Sequence, residues 1–523
     1  MQVLKFTSGN RTYAIILNFD NDHKIKSFSL IDIKDSLKIK EHYIPMRDGT
    51  KLHTMSIFHD DDTQRGTVFL KTPYFEINQS SYFNRANNMF IKKGFNFVIQ
   101  SNRGSFLSEG HFRWMDAVNI QDSYEIIDWI SNQSFSNKKV MSFGISYDGY
   151  NALASSINAH ESLKLVIACS APANINTDSL TANQRINQHL LEFIAQREQL
   201  ELTNPSEFMS TTTDISTIKD WDNILYKRNI EDWDDIIEAS NNYDHILWKE
   251  RSLLNGLANS NVETLHIAGL RRDQDARDTI LAYQHIQEYG LYSNKHKLFL
   301  HSGGHGCGQL LSSTNITPYL SLITDNPIKD TKQANVTQYS SRTSGYITGD
   351  SYPLEDINKT TLTLESDQSN EDKKSNILGS FKNTKQVSSR PNSVKLSVTL
   401  KEDTYINGTP EILFKTYSNT PDARVAVTIT FNSSSFSLNQ SKQHEDIFGR
   451  TSVLISNEKE NHITYPPKFI KLKAGTKNFV EFTQKEFNEM NPNTVNQDKF
   501  FENNEYGITN ILEGAELILP TEI

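Results

Sequence analysis

A serine hydroxyl becomes a useful nucleophile only when a base takes its proton and a carboxylate orients that base. Three stretches of this sequence offer those groups. Ser146 stands in Gly144-Ile145-Ser146-Tyr147-Asp148-Gly149, which reads as a turn at the end of a strand. LRRDQDARD, residues 270–278, supplies Asp273, Asp275 and Asp278. Gly304-His305-Gly306 supplies a histidine. Each group follows an apolar, strand-like run: KVMSFG (139–144), TLHIAG (264–269) and KLFLHSG (297–303). Loops at strand ends can aim side chains at a common point. His296 and His301 are rivals for the base, but His301 falls within a strand-like run. Singly, each residue has a bland reading: a serine in a turn, an aspartate capping a helix, a histidine bonding its own loop. Three loops offering the right residues in the order Ser146, Asp273, His305 point to acyl chemistry through a serine. Asp148 would either pair with a substrate's free amino group or cap the following helix. Cys307 has no elbow context of its own. This chemistry needs no cofactor and no metal.

The elements that must carry these loops follow from hydrophobic pattern. TVFLK (67–71), FNFVIQ (95–100) and LKLVIACSA (163–171) join the three runs above as continuous apolar segments, the signature of strands buried on both faces. Between them Ile120, Tyr124, Ile127 and Ile130 recur at helical spacing. Strands alternating with helices predict an α/β domain with a mostly parallel sheet, placed at residues 39–330. The rhythm breaks at about 175–258, where LTANQRINQHLLEFIAQREQ predicts a helical insertion. An insertion there would lie above the carboxyl edge of the sheet as a cap. Residues 1–38 read as a small β-hairpin extension around Asp20-Asn21-Asp22. After residue 330, period-two runs such as SVKLSVTL and ARVAVTIT predict an all-β sandwich or jelly-roll over 331–523.

Composition narrows the partners. The 523 residues carry 53 basic and 63 acidic side chains, a net charge of −10. Nucleic acid is therefore an unsuitable partner, since phosphate binding needs clustered Lys and Arg. No apolar stretch is long enough for a membrane span, and the first residues do not read as a signal peptide. With only two cysteines, Cys169 and Cys307, a disulfide framework is not expected and a cytoplasmic, reducing setting fits. The expected partner is a small-molecule or peptide substrate; the oligomeric state is open.

Longer motifs resemble one family, the cocaine-esterase, X-prolyl dipeptidyl-peptidase and α-amino-acid ester hydrolase group of α/β-hydrolases. Met46-Arg47-Asp48-Gly49-Thr50-Lys51-Leu52 is similar to its opening "M-R-D-G-x-x-L". Lys71-Thr72-Pro73-Tyr74 resembles its "R-T-P-Y" loop, and Arg103-Gly104 with Ser108-Glu109-Gly110 its "R-G-x-x-x-S-E-G". Gly144 to Gly149 satisfies its elbow, "G-x-S-Y-x-G", which differs from the general G-x-S-x-G by one position. Tyr243 to Trp248 resembles the end of its cap, and 409–425 its C-terminal jelly-roll. The resemblance runs from about residue 40 to near the end. It implies an α/β-hydrolase core with a helical cap and a C-terminal jelly-roll. It implies a Ser146, Asp273, His305 triad, with the oxyanion held by the Tyr74 hydroxyl and the Tyr147 N–H. It also implies cleavage of an ester or amide acyl bond; an acyltransferase or cyclase, or an inactive binding protein, are the alternatives. Two departures stand out. The family's "G-W-x-D" has one extra residue here, which keeps Asp275 as a rival acid to Asp273. The tryptophan of "G-P-W-x-H" is missing before His305.

Overall fold

The computed structural model describes residues 2–8, 11–19, 25–33, 37–174, 245–270, 273, 275–308, 316–328, 333–340, 342–354, 357–366, 377–382, 393–432, 445–464, 468–484 and 508–522. The predicted cap helix, 180–199, lies outside the described residues.

Three antiparallel strands open the chain: β1 (Gln2–Ser8), β2 (Arg11–Phe19) and β3 (Ile25–Ile33). The expected two-stranded hairpin is thus the second half of a three-stranded meander. A ten-stranded mixed sheet follows. Its strands are β4 (Leu37–Pro45), β5 (Lys51–His59), β6 (Arg65–Thr72), β7 (Asn96–Ser101), β8 (Ser136–Ile145), β9 (Leu163–Cys169), β10 (Glu263–Gly269), β11 (His296–His301), β12 (Val336–Ser340) and β13 (Gly345–Gly349). The spatial order is β13-β12-β11-β10-β9-β8-β6-β7-β5-β4. From β12 to β7 all neighbours are parallel; β13, β5 and β4 run antiparallel at the two edges. β12 and β13, which lie beyond the boundary expected after residue 330, belong to this sheet.

The described helices in this part are α1 (Phe75–Met89), α2 (Val118–Ser131), α3 (Tyr147–Ala154), α4 (Ile246–Arg251), α5 (Leu254–Ala258), α6 (Ala276–Tyr289) and α7 (Thr317–Ser321). They cover both faces, as the continuous apolar runs require. Phe69, Val98, Val140, Val166 and Ala168 pack with Ile126, Ile127 and Ile130 of α2 and Leu153 of α3. The alternate strand residues Val68, Leu70, Phe97, Ile99, Met141, Phe143, Leu165 and Ile167 point the other way, against Phe83 and Ala86 of α1 and Leu320 of α7. Strand alternation thus feeds two cores from one set of residues. Beyond residue 356 the described segments form a separate β region. Its own core includes Leu396, Phe414, Val427, Ile429, Val480 and Leu517. Among the described residues no helix is long and apolar enough to cross a membrane.

The sheet has a switch point. From β6 the chain passes to β7 on one side and, through α2, to β8 on the other. A crevice opens beyond the carboxyl ends of strands at such a point. Tyr74 follows β6 and Ser146 follows β8.

Candidate active site

Ser146 sits at the boundary between β8 and α3 with φ 61° and ψ −126°. A side chain in that region is uncommon and strained. Hydrogen bonds fix the turn: the Ser146 N–H donates to the Cys169 carbonyl at 2.9 Å, and the Tyr150 N–H to the Ser146 carbonyl at 3.0 Å. The glycines are placed by close approach. A Cβ on Gly144 would come within 1.9 Å of the Asp148 carbonyl oxygen. One on Gly149 would come within 2.7 Å of the Ala171 side chain, where α3 passes the end of β9. The second glycine is required at 149 because that residue meets β9, which leaves 148 able to carry a side chain.

Asp148 uses that freedom. It is buried in the first turn of α3, and its Oδ2 accepts from the Tyr82 hydroxyl of α1 at 2.7 Å. The Tyr82 hydroxyl also lies 2.7 Å from Thr72 Oγ1, which accepts from the Tyr74 N–H at 3.0 Å. A line of hydrogen bonds therefore runs from the elbow to the loop that carries Tyr74. The Tyr74 and Tyr147 rings stand edge-on with centroids 6.0 Å apart. The Tyr147 hydroxyl accepts from the Met115 N–H at 2.8 Å, so this side chain props the elbow while its N–H opens α3.

Asp273 and His305, 32 residues apart in the chain, are brought together. His305 Nδ1 lies 3.0 Å from Asp273 Oδ1. A carboxylate only accepts, so Nδ1 carries the proton and Nε2 is left with its lone pair. Asp275 Oδ2 is 3.6 Å from the same nitrogen, so the rival acid is a second carboxylate beside the imidazole. Burial pushes the His305 pKa down, but the Asp273 hydrogen bond and the charges of Asp275 and Asp273 outweigh it, leaving it above the ordinary histidine value. Asp273 is buried, which favours its neutral form. Hydrogen bonds from His305 and Ser170, the His305 charge and the Gly269 N–H overcome this and hold its pKa below the ordinary carboxylate range. Asp278, the third aspartate of the run, faces elsewhere and accepts from the Ala173 N–H at 3.1 Å.

The rival histidines have other duties. His301 Nε2 donates to the Gly306 carbonyl at 2.9 Å, while its Nδ1 accepts from the Gly303 N–H at 3.0 Å. Its ring thereby braces the loop that presents His305. His296 pairs with His266 at 3.0 Å, within the sheet. Asp273, Asp275 and His305 also bring potential ligand atoms within 4.8 Å of one another, the one such group among the described residues. The Asp273–His305 hydrogen bond already engages two of its members.

Two features escaped the sequence reading. Cys169 and Cys307 are joined across 138 residues in a disulfide where none was expected, which removes the argument for a reducing compartment. The ends of β9 and of the loop after β11 converge, with the Cα atoms 5.1 Å apart. The second feature is Ser170, whose hydroxyl contacts both Asp273 and the His305 loop. Its signal was slight: a serine directly after a strand.

With this geometry in view, comparisons place the chain. The model of the X-Pro dipeptidyl-peptidase (S15) family matches residues 48–307, which include Ser146, Asp273 and His305. A cocaine esterase of Rhodococcus sp. (strain MB1 Bresler) is 28% identical over 135 residues, 25% of this chain. That stretch spans only 23% of the esterase's own length. An aminopeptidase from the marine sediment archaeon Thaumarchaeota archaeon superposes with a TM-score of 0.73 at 17% identity, covering 94% of this chain and 97% of its own. An α-amino acid ester hydrolase superposes with a TM-score of 0.74 at 15% identity, covering 93% and 97%. At such identities these two likenesses show the fold. Elbow, carboxylate–imidazole pair and family match agree: the chain belongs to the cocaine-esterase and X-Pro dipeptidyl-peptidase family of α/β-hydrolases.

Proposed function

We propose that this chain is a serine hydrolase that cleaves an ester or amide acyl bond through an acyl-enzyme. The observation that carries the reading is the Asp273–His305 pair, at 3.0 Å, presented at the same sheet edge as a serine with φ 61°. In this mechanism His305 Nε2 takes the Ser146 proton as Oγ attacks the acyl carbonyl. Asp273 keeps the other imidazole nitrogen protonated and stabilises the imidazolium that forms. The oxyanion accepts hydrogen bonds from the Tyr74 hydroxyl and the Tyr147 N–H. His305 then protonates the leaving group, and water activated by the same imidazole releases the acyl group.

The substrate classes that suit this reading are X-prolyl peptides and amino-acid esters. Asp148 is a candidate contact for a substrate amine, but its burial and its bond to Tyr82 favour the plainer role of anchoring the elbow to α1. Equal turnover of free and N-acetylated amino-acid esters would remove the amine contact. Residues 175–244 of the expected cap lie outside the described residues; we read the C-terminal β region as a jelly-roll flank. The mechanism itself is tested by a fluorophosphonate probe followed by peptide mapping. Modification at Ser146, blocked by prior denaturation, is the expected result; modification elsewhere, or none, overturns it.

A further inference from the structure

We propose that Ser170 is a positioning residue for this reaction, clasping the triad acid to the loop that carries the base. The proposal rests on the serine-hydrolase reading above and adds a residue to it.

Ser170 is fully buried at the end of β9. Its hydroxyl is used in both directions. Oγ–H donates to Asp273 Oδ2 at 2.6 Å, and Oγ accepts from the Gly306 N–H at 2.7 Å. A longer approach of 3.4 Å to the Gly306 carbonyl is the weaker alternative for the one hydroxyl proton. Gly306 is the residue next to His305. One side chain therefore touches the acid on one side and the base's own loop on the other.

The acid is fully engaged by this arrangement. Oδ2 accepts from Ser170 and from the Gly269 N–H at 2.8 Å; Oδ1 accepts from His305 and from the Asp275 N–H at 3.1 Å. The four acceptor sites of the carboxylate are filled, so it cannot rotate without losing a partner. Ser170 is the only side chain besides the imidazole among those four donors. It is also the one that reports to the His305 loop.

Two further observations place Ser170 under constraint. It has φ 45°, where residues other than glycine are uncommon, and its N–H donates to the Ile267 carbonyl at 2.6 Å. Its neighbour Cys169 is disulfide-bonded to Cys307, two residues past His305. Cys169 also accepts from the Ser146 N–H. The short segment 169–170 therefore ties nucleophile turn, acid and base loop together. Glycine would meet the φ requirement without strain; a serine there supplies the hydroxyl.

The test compares Ser170→Ala and Ser170→Gly with the unaltered chain, using an activated ester. Glycine adopts φ 45° freely, so a loss shared by both variants belongs to the hydroxyl and not to the backbone. Expected is a fall in kcat of about tenfold to hundredfold, the worth of a hydrogen bond to a charged group, with KM changed by less than about twofold. The far-downfield proton resonance of the His305–Asp273 hydrogen bond should shift or broaden in both variants. Unchanged kcat and an unchanged resonance overturn the proposal. So does a loss of activity that simply follows loss of folded protein in thermal melts, with the resonance intact. Ser146→Ala, run alongside, separates the two readings. If it abolishes turnover while Ser170→Gly is silent, only the role of Ser170 falls. If it leaves turnover intact, the triad itself falls.

Discussion

His305 lies between two carboxylates, and its chemistry depends on which it uses. Asp273 makes the shorter contact and is itself held by three other donors, so we assign it as the acid of the proposed triad, with Asp275 acting through charge. The imidazole must be neutral to act as a base. Because its pKa is raised, activity should rise with pH through a limb above about 6.5, the ordinary histidine value. Asp275→Asn removes a negative neighbour, which destabilises the imidazolium and moves that limb to lower pH. Asp273→Asn should instead cost about three to four orders of magnitude in kcat, as loss of the orienting acid does elsewhere. Profiles of kcat/KM against pH for both variants check this pair; equal losses would contradict the assignment. For the oxyanion, Tyr74→Phe should lower kcat by about 10²–10³-fold with KM little altered. Steady-state kinetics on an activated ester would show it, and a change confined to KM would argue for substrate binding instead.

The strand ends that carry these groups are held by polar contacts inside an apolar sheet. Lys71, buried in β6 three residues before Tyr74, donates to Asp122 of α2 at 3.1 Å. Asp122 also takes two hydrogen bonds from Arg103, at 2.9 and 2.7 Å. Burial opposes the charge of both Lys71 and Asp122; for Asp122 the two cations win, and its pKa is lowered. Asp122→Ala strands a buried ammonium and should cost about 3–5 kcal/mol in urea unfolding. A loss below about 1 kcal/mol would show that water or another anion reaches Lys71. In β10 and β11, His266 and His296 form a buried pair. Burial pushes His266 well down and His296 down to about 4. Groups with depressed basicity bind protons more readily when unfolded, so stability is full above about pH 6.5 and falls as pH drops towards 4. Melts of a His266→Leu/His296→Leu variant should depend less on pH in that window; parallel curves would contradict it.

At the scale of the molecule, much was legible because strands buried on both faces write continuous apolar runs. TVFLK, KVMSFG and TLHIAG fall within strands of one sheet, and FNFVIQ and KLFLHSG overlap two more of its strands. The order of Ser146, Asp273 and His305 was legible for the same reason, since each follows such a run. The disulfide was not, because pairing over 138 residues depends on which strand ends meet. Ser170 was hidden likewise: its hydroxyl's partners, Asp273 and Gly306, come from two separate loops. β12 and β13 carry the sheet past residue 330 but are short and partly polar, so they wrote no continuous apolar run. The late glycine of the elbow became intelligible only with Ala171 and Cys169 in place.

The central claim is that Ser146 forms an acyl-enzyme. Pre-steady-state hydrolysis of an activated aryl ester measures it most directly. The expected result is a burst of phenol stoichiometric with enzyme, absent in a folded Ser146→Ala variant. A burst that survives in that variant would contradict it.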